Sequence, residues 1–200
     1  MSAESKFWNW FKANEAKYFF LNQIEDEDEK ENLLDDLLAH LHEYCDKLYF
    51  EVGGHPDEKQ DLIITAEGDV DYFPQVEALV GSSPKLEHWT IIAFKPQTEK
   101  SVINYNGLSL DARNVIFNPL TNPNSQKIGV RLYYDNYTES NKKDLLTASY
   151  WLLDNVLGEK SYALNIGYVD VASVSTVQNP DDLIELVKLP KYIEWNKRQR

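Results

Sequence analysis

Leu48-Tyr49-Phe50-Glu51-Val52, then Gly53-Gly54-His55-Pro56-Asp57, then Asp61-Leu62-Ile63-Ile64-Thr65-Ala66 is the stretch that decides the fold. Its aromatic and β-branched runs read as two strands, and the Gly, Pro and Asp residues between them as their turn. Asp71 to Val80 has helical spacing, with Asp71 as the expected N-cap and Pro74 in the first turn. Thr90-Ile91-Ile92-Ala93-Phe94 closes the unit as a third strand before Lys95-Pro96. Residues 48–96 therefore read strand, strand, helix, strand.

Residues 113–171 repeat that order without repeating the residues. Val115-Ile116-Phe117 is a short strand stopped by Asn118-Pro119. In the next strand Ile128, Val130, Leu132 and Tyr134 alternate onto one face. Leu145, Ser149, Leu152, Leu153, Val156 and Leu157 line a helix over 142–157, which Gly158 ends. Tyr162 to Val171 reads as the returning strand, with Leu164, Ile166 and Tyr168 on one face. Before this unit, Asn106-Gly107 marks a hairpin turn between Ser101–Tyr105 and Leu108–Leu110. Two such units with short internal links point to one α+β domain over 1–200, a two-layer arrangement on a single mixed sheet.

Two helices precede it, within residues 1–47. In the first, Phe7, Trp10, Phe11, Asn14 and Tyr18 share one face, with Trp8 and Phe19 to its side. That wide aromatic face packs on the sheet, or leaves Trp8 and part of the stripe exposed for a partner. Glu25-Asp26-Glu27-Asp28-Glu29 opens the second helix, where carboxylates suit the unpaired N–H groups and the positive dipole end. That helix extends to about Lys47, with Leu34, Leu37, Leu38, Leu41 and Cys45 as its buried stripe. At the other end of the chain, a short helix starts at Asn179-Pro180-Asp181 and stops at Pro190. The basic segment Lys191 to Arg200 reads as a free tail.

The 200 residues are 42% hydrophobic and 12% aromatic, ordinary for a globular protein. A formal charge of -13 argues against nucleic acid or an anionic membrane as the partner and fits a basic protein. The lone Cys45 excludes an internal disulfide and suits a reducing cytosol. Met1 to Ser5 lacks the start of a secretory signal, and no apolar run reaches membrane-spanning length, so a cytoplasmic protein is expected.

No phosphate loop, nucleophile elbow, zinc helix or cysteine pair occurs, and no cofactor or metal is expected. His40 and His42 fall on opposite flanks of their helix and cannot share a metal from it. Glu67, Asp69 and Asp71 alternate in a loop, but Tyr72 stands where a calcium loop needs glycine. His55 in its turn and His88 beside Trp89 have no partner in the sequence pattern. The strand alternation turns Tyr49, Glu51, Arg131, Tyr133 and Asn165 away from the helices. With Trp8 they form the candidate binding surface.

Phe7-Trp8-Asn9-Trp10-Phe11, Phe50-Glu51-Val52-Gly53-Gly54 and Leu152-Leu153-Asp154-Asn155-Val156-Leu157-Gly158-Glu159 resemble blocks of an uncharacterised bacterial family, a domain of unknown function. The resemblance implies no activity, cofactor or site residue. The expected function is that of a non-enzymatic interaction or regulatory protein, of immunity type, that binds a basic partner. The alternative is a hydrolase or transferase with a site assembled from separate strands, for which Glu51, His55 and Arg131 are the candidates.

Overall fold

The computed structural model describes residues 2–54, 58–98, 101–177, 179 and 182–199. The protein is α+β, and it divides into two compact units, Met1–Lys95 and Pro96–Arg200.

The first unit opens with α1 (Ala3–Phe19), capped by Ser2, whose hydroxyl accepts from the Ser5 N–H. Helix α2 (Glu27–His42) starts at Asp26, whose carboxylate accepts from the Asp28 and Glu29 N–H groups. That bond type and the acidic first turn explain why this charge-rich segment is helical. The helix ends at His42, not near Lys47, and Cys45 lies half-buried in the turn beyond it. Strands β1 (Tyr49–Gly54), β2 (Gln60–Thr65) and β3 (Trp89–Ala93) form a sheet in that order. β1 and β2 are antiparallel, as a short connection requires. β2 and β3 are parallel, joined by a crossover through α3 (Phe73–Gly81). Pro74 sits in the first turn of α3 as expected. The preceding 3-10 turn is capped by Asp69, which accepts from the Asp71 N–H, so Asp69 has the role expected of Asp71. Phe11, Leu37, Leu41, Leu62, Ile64, Val76 and Leu79 are fully enclosed in the core of this unit.

The second unit begins with a hairpin, β4 (Val102–Tyr105) and β5 (Leu108–Asp111). Asn106 and Gly107 both take positive φ at its tip, 47° and 79°, the conformation for which Asn-Gly is favoured. Strands β6 (Ile116–Leu120), β7 (Ile128–Tyr134), β8 (Ile166–Ser173) and β9 (Ile184–Glu185) form a sheet in the order β8-β7-β6-β9. β6 and β7 pair antiparallel, β7 and β8 parallel. The link from β7 to β8 runs through α4 (Lys142–Leu157) and α5 (Glu159–Asn165). The antiparallel pair followed by a parallel crossover thus recurs in both units, as the element order implied.

Several expectations are corrected. The single sheet over 48–171 is replaced by separate sheets, because each crossover strand pairs with its own hairpin. Local pairing closes a shorter loop and costs less chain entropy. β6 continues through Asn118-Pro119 to Leu120. Pro119 lies past the two residues paired with β9, where β6 has one strand partner, so a missing N–H is tolerated there. Tyr162 to Asn165 are helical, and the strand begins at Ile166. A register shift at Ile128/Gly129 then places Val169 and Val171 in the core and leaves Tyr168 exposed. Pro190 starts α6 (Leu189–Arg198) instead of ending a helix, since proline lacks only an N–H that is unpaired in the first turn. The expected free tail is therefore helical through Arg198, with Leu189 and Ile193 buried. Of the helix expected from Asn179, residues 180 and 181 lie outside the described residues, and Ile184–Glu185 is strand.

Candidate interaction surface

The expected surface residues are divided between the two units, and one of them is not on the surface. Trp8 is the plainest correction: it is 3% exposed, and its Nε1 donates to Leu79 O of α3 at 2.8 Å. Trp10, expected in the core, is half-buried and stacks on His40 with centroids 3.8 Å apart. At about 100° per residue Trp8 and Trp10 flank the Phe7–Phe11 line on opposite sides. The buried face of α1 is turned toward Trp8, because α3 supplies an acceptor there.

Tyr49 and Glu51 are exposed on β1, as expected, and Glu51 is tied to Lys95 at 3.2 Å. Arg131 and Tyr133 are half-buried on β7 in the second unit. Arg131 faces its cross-strand neighbour Asp170, to which its Nε donates at 2.8 Å. Asn165 ends α5, where its Nδ2 donates to Ser161 O at 2.6 Å. Glu51 and Arg131 are thus each neutralised in a different unit, and His55 lies outside the described residues.

The histidines of α2 have structural partners. His40 Nδ1 donates to Asp36 O at 2.8 Å, and His42 Nε2 donates to Leu48 O at 3.1 Å. Beside His40, a cleft of about 230 Å³ is lined by Lys6, Phe7, Trp10, His40, Glu43 and Tyr44. Its polar groups already have partners: Lys6 Nζ pairs with Glu43 across the cleft at 2.7 Å, and Tyr44 Oη donates to Gln75 O at 3.1 Å. The Lys6 ammonium beside Glu43 holds that carboxyl below its ordinary pKa. Burial and the nearby Asp36 carboxylate, to which Tyr18 donates at 3.2 Å, push the Tyr18 phenol up. No cluster of three metal-ligating side chains occurs among the described residues.

What distinguishes the units is charge. Residues 1–95 hold 21 Asp and Glu against 8 Lys, whereas residues 96–200 hold twelve acidic and twelve basic residues. The whole net charge of -13 therefore belongs to the first unit. Its densest part is α2, where Glu27, Asp28, Glu29, Glu31 and Asp35 are exposed. Among the described residues none of these carboxylates is paired with a cation. Unpaired exposed carboxylates sum to a field that reaches about one Debye length, roughly 10 Å at 0.1 M salt.

No family model, curated protein or solved structure matches the chain. The resemblance of the three blocks to an uncharacterised family accordingly carries no argument about function. No helix among the described residues is long and apolar enough to cross a membrane.

Proposed function

We propose that the protein is a non-enzymatic binding protein whose acidic first unit docks a basic protein partner and thereby neutralises or regulates it, as an immunity-type protein does. The observation that carries this reading is the confinement of the net charge to residues 1–95. A field of one sign on one unit steers a cationic partner toward it and raises the association rate. The neutralised states of Glu51 and Arg131 favour binding over the hydrolase or transferase alternative. We place this activity in the cytoplasm, where the single thiol of Cys45 stays reduced.

Affinity purification of the full chain from its native host, at low and at moderate salt, tests this reading. A basic protein retained at low salt and released as salt rises is the expected result. Replacing Glu27, Asp28, Glu29 and Glu31 together by Gln should slow association roughly tenfold or more at low salt. A partner that is acidic, or one held equally at both salts, refutes the proposal.

A further inference from the structure

Helix α6 buries Leu189 and Ile193 in the second unit and turns another face to solvent. Lys191, Trp195 and Arg198 lie on that face, all exposed, at positions i, i+4 and i+7. At about 100° and 1.5 Å per residue they fall within an arc of about 60° and span about 10 Å along the axis. Trp195 is 54% exposed, but its ring is held by Tyr192 at a centroid distance of 5.5 Å. Tyr192 in turn stands edge-on to the buried Phe117 at 5.9 Å. Two other cations of this segment are neutralised nearby, Lys188 by Glu185 at 3.2 Å and Lys197 by Glu194 at 3.1 Å. Among the described residues Lys191 and Arg198 have no such partner.

An anchored tryptophan between two unpaired cations has the composition of an interface anchor, and its occupant must be anionic. Polyanions fit poorly: a chain of net charge -13 repels a nucleic acid or an anionic membrane at range, and the stripe offers only two free cations. The chain itself carries the matching pattern. On α2, Asp28, Asn32 and Asp35 are exposed at the same i, i+4, i+7 spacing, with a carboxylate at each end and an amide between. Among the described residues neither carboxylate is paired with a cation. The two stripes have equal length and opposite charges at their ends, so they are complementary whichever way the helices run. The Asn32 amide oxygen is then an acceptor for the Trp195 N–H. We infer that α6 of one copy docks on α2 of a second copy. The second unit is charge-balanced, so approach through α6 meets the least repulsion from the acidic unit of the other copy. The contact is heterologous: each added copy leaves one α2 and one α6 open, and assembly continues. It goes beyond the basic partner proposed above, and because both use α2 that partner competes with it.

Sedimentation velocity of the full chain tests this. At low salt the mass should rise above 23.2 kDa with protein concentration and return to it as salt is added. The double variant Lys191→Glu, Arg198→Glu should weaken association about tenfold or more, and so should Asp28→Lys, Asp35→Lys. Neither variant should associate alone, but their mixture should, because it again offers an intact α6 to an intact α2. All four positions are exposed, so the variants keep the fold, and melting curves check this. A parent that stays monomeric at low salt, or association that survives the α6 variant, overturns the inference. So does a parent that binds phosphatidylserine vesicles through α6 without self-association. Capture of the basic partner by the α6 variant depends on α2 alone. If that capture succeeds while the parent never self-associates, this inference fails and the binding role stands; if self-association follows the variants and no partner is captured, the reverse holds.

Discussion

Truncating Trp8 should destabilise the protein more than truncating Trp10, although the two residues flank the same helical stripe. Trp8 is 3% exposed, its ring lies edge-on to Phe7 at 4.9 Å and to Phe11 at 6.0 Å, and its Nε1 reaches Leu79 O. Replacing a buried tryptophan by alanine removes its transfer energy and leaves a cavity, together about 3–5 kcal/mol. The lost hydrogen bond adds about 1 kcal/mol and no more, because Leu79 O keeps Ser82 N–H and Ser82 Oγ as donors at 3.2 and 2.9 Å. Trp10 is half-buried, and its main contact is the stack on His40. Its truncation should cost about 1–2 kcal/mol. For a chain of this size each kcal/mol shifts the melting temperature by about 2–4 °C. Trp8→Ala should therefore melt roughly 8–24 °C below the parent and Trp10→Ala only a few degrees below it. Trp8→Phe, which keeps a ring and loses the donor, should fall between them. Circular dichroism melts of the three variants provide the measurement. If Trp10→Ala falls further than Trp8→Ala, α1 packs through its other flank and the placement of Trp8 against α3 is wrong.

In the second unit, Tyr134 Oη and Ser149 Oγ share a buried hydrogen bond of 2.8 Å, and Ser149 also donates to Leu145 O at 2.6 Å. Ser149→Ala should cost about 1–3 kcal/mol by stranding the buried phenol. Adding Tyr134→Phe should recover part of this, so a urea double-mutant cycle shows a coupling of roughly 1 kcal/mol. At the start of the same unit, the Arg113 guanidinium and its backbone N–H hold the Asp111 carboxyl down at about 2. A depressed folded-state pKa contributes stability above the ordinary carboxylate value near 4, which is lost as pH falls through about 2. Arg113→Ala should move the Asp111 titration, followed by NMR, up toward the ordinary value. An unchanged midpoint would mean that the pair does not persist in solution.

The repeated hairpin-and-crossover order was legible because it is written in local signals: alternation for β7, helical spacing for α4, and Gly158 and Asn106-Gly107 at the joints. What the pattern could not carry was pairing between segments. A strand order is a statement about partners, and the choice between one sheet and separate sheets depends on loop closure, which no single segment records. The misplaced elements share a cause. Tyr162 to Asn165 contain residues compatible with either state, and the packing of α5 after α4 makes them helical. Pro190 is compatible with a helix end or a first turn, and burial of Leu189 and Ile193 selects the first turn. Trp8 was assigned to a flank because spacing defines an arc of apolar residues but not its centre. Leu79, the group that sets the centre, lies seventy-one residues away along the chain.

The candidate surface was less legible for a different reason. Alternation correctly gave Glu51 and Arg131 non-core faces, but it could not show that Lys95 and Asp170 neutralise them. His88 beside Trp89 was visible as a pair without a partner, and the partner, Phe19, comes from the end of α1. The net charge was known from composition alone, yet its meaning depends on the boundary at Lys95. Spread over 200 residues, -13 is ordinary solubility; held entirely within 95 residues, it is self-repulsion that a compact unit must overcome. Capping needs only the acids nearest a helix start, and Asp26 already fills that role for α2. Glu31 and Asp35 lie beyond the first turn, where dipole stabilisation has faded, and are exposed with no cation paired to them among the described residues. Folding therefore gives no reason for their charge. The cationic partner proposed above would give one, by drawing these carboxylates to its surface.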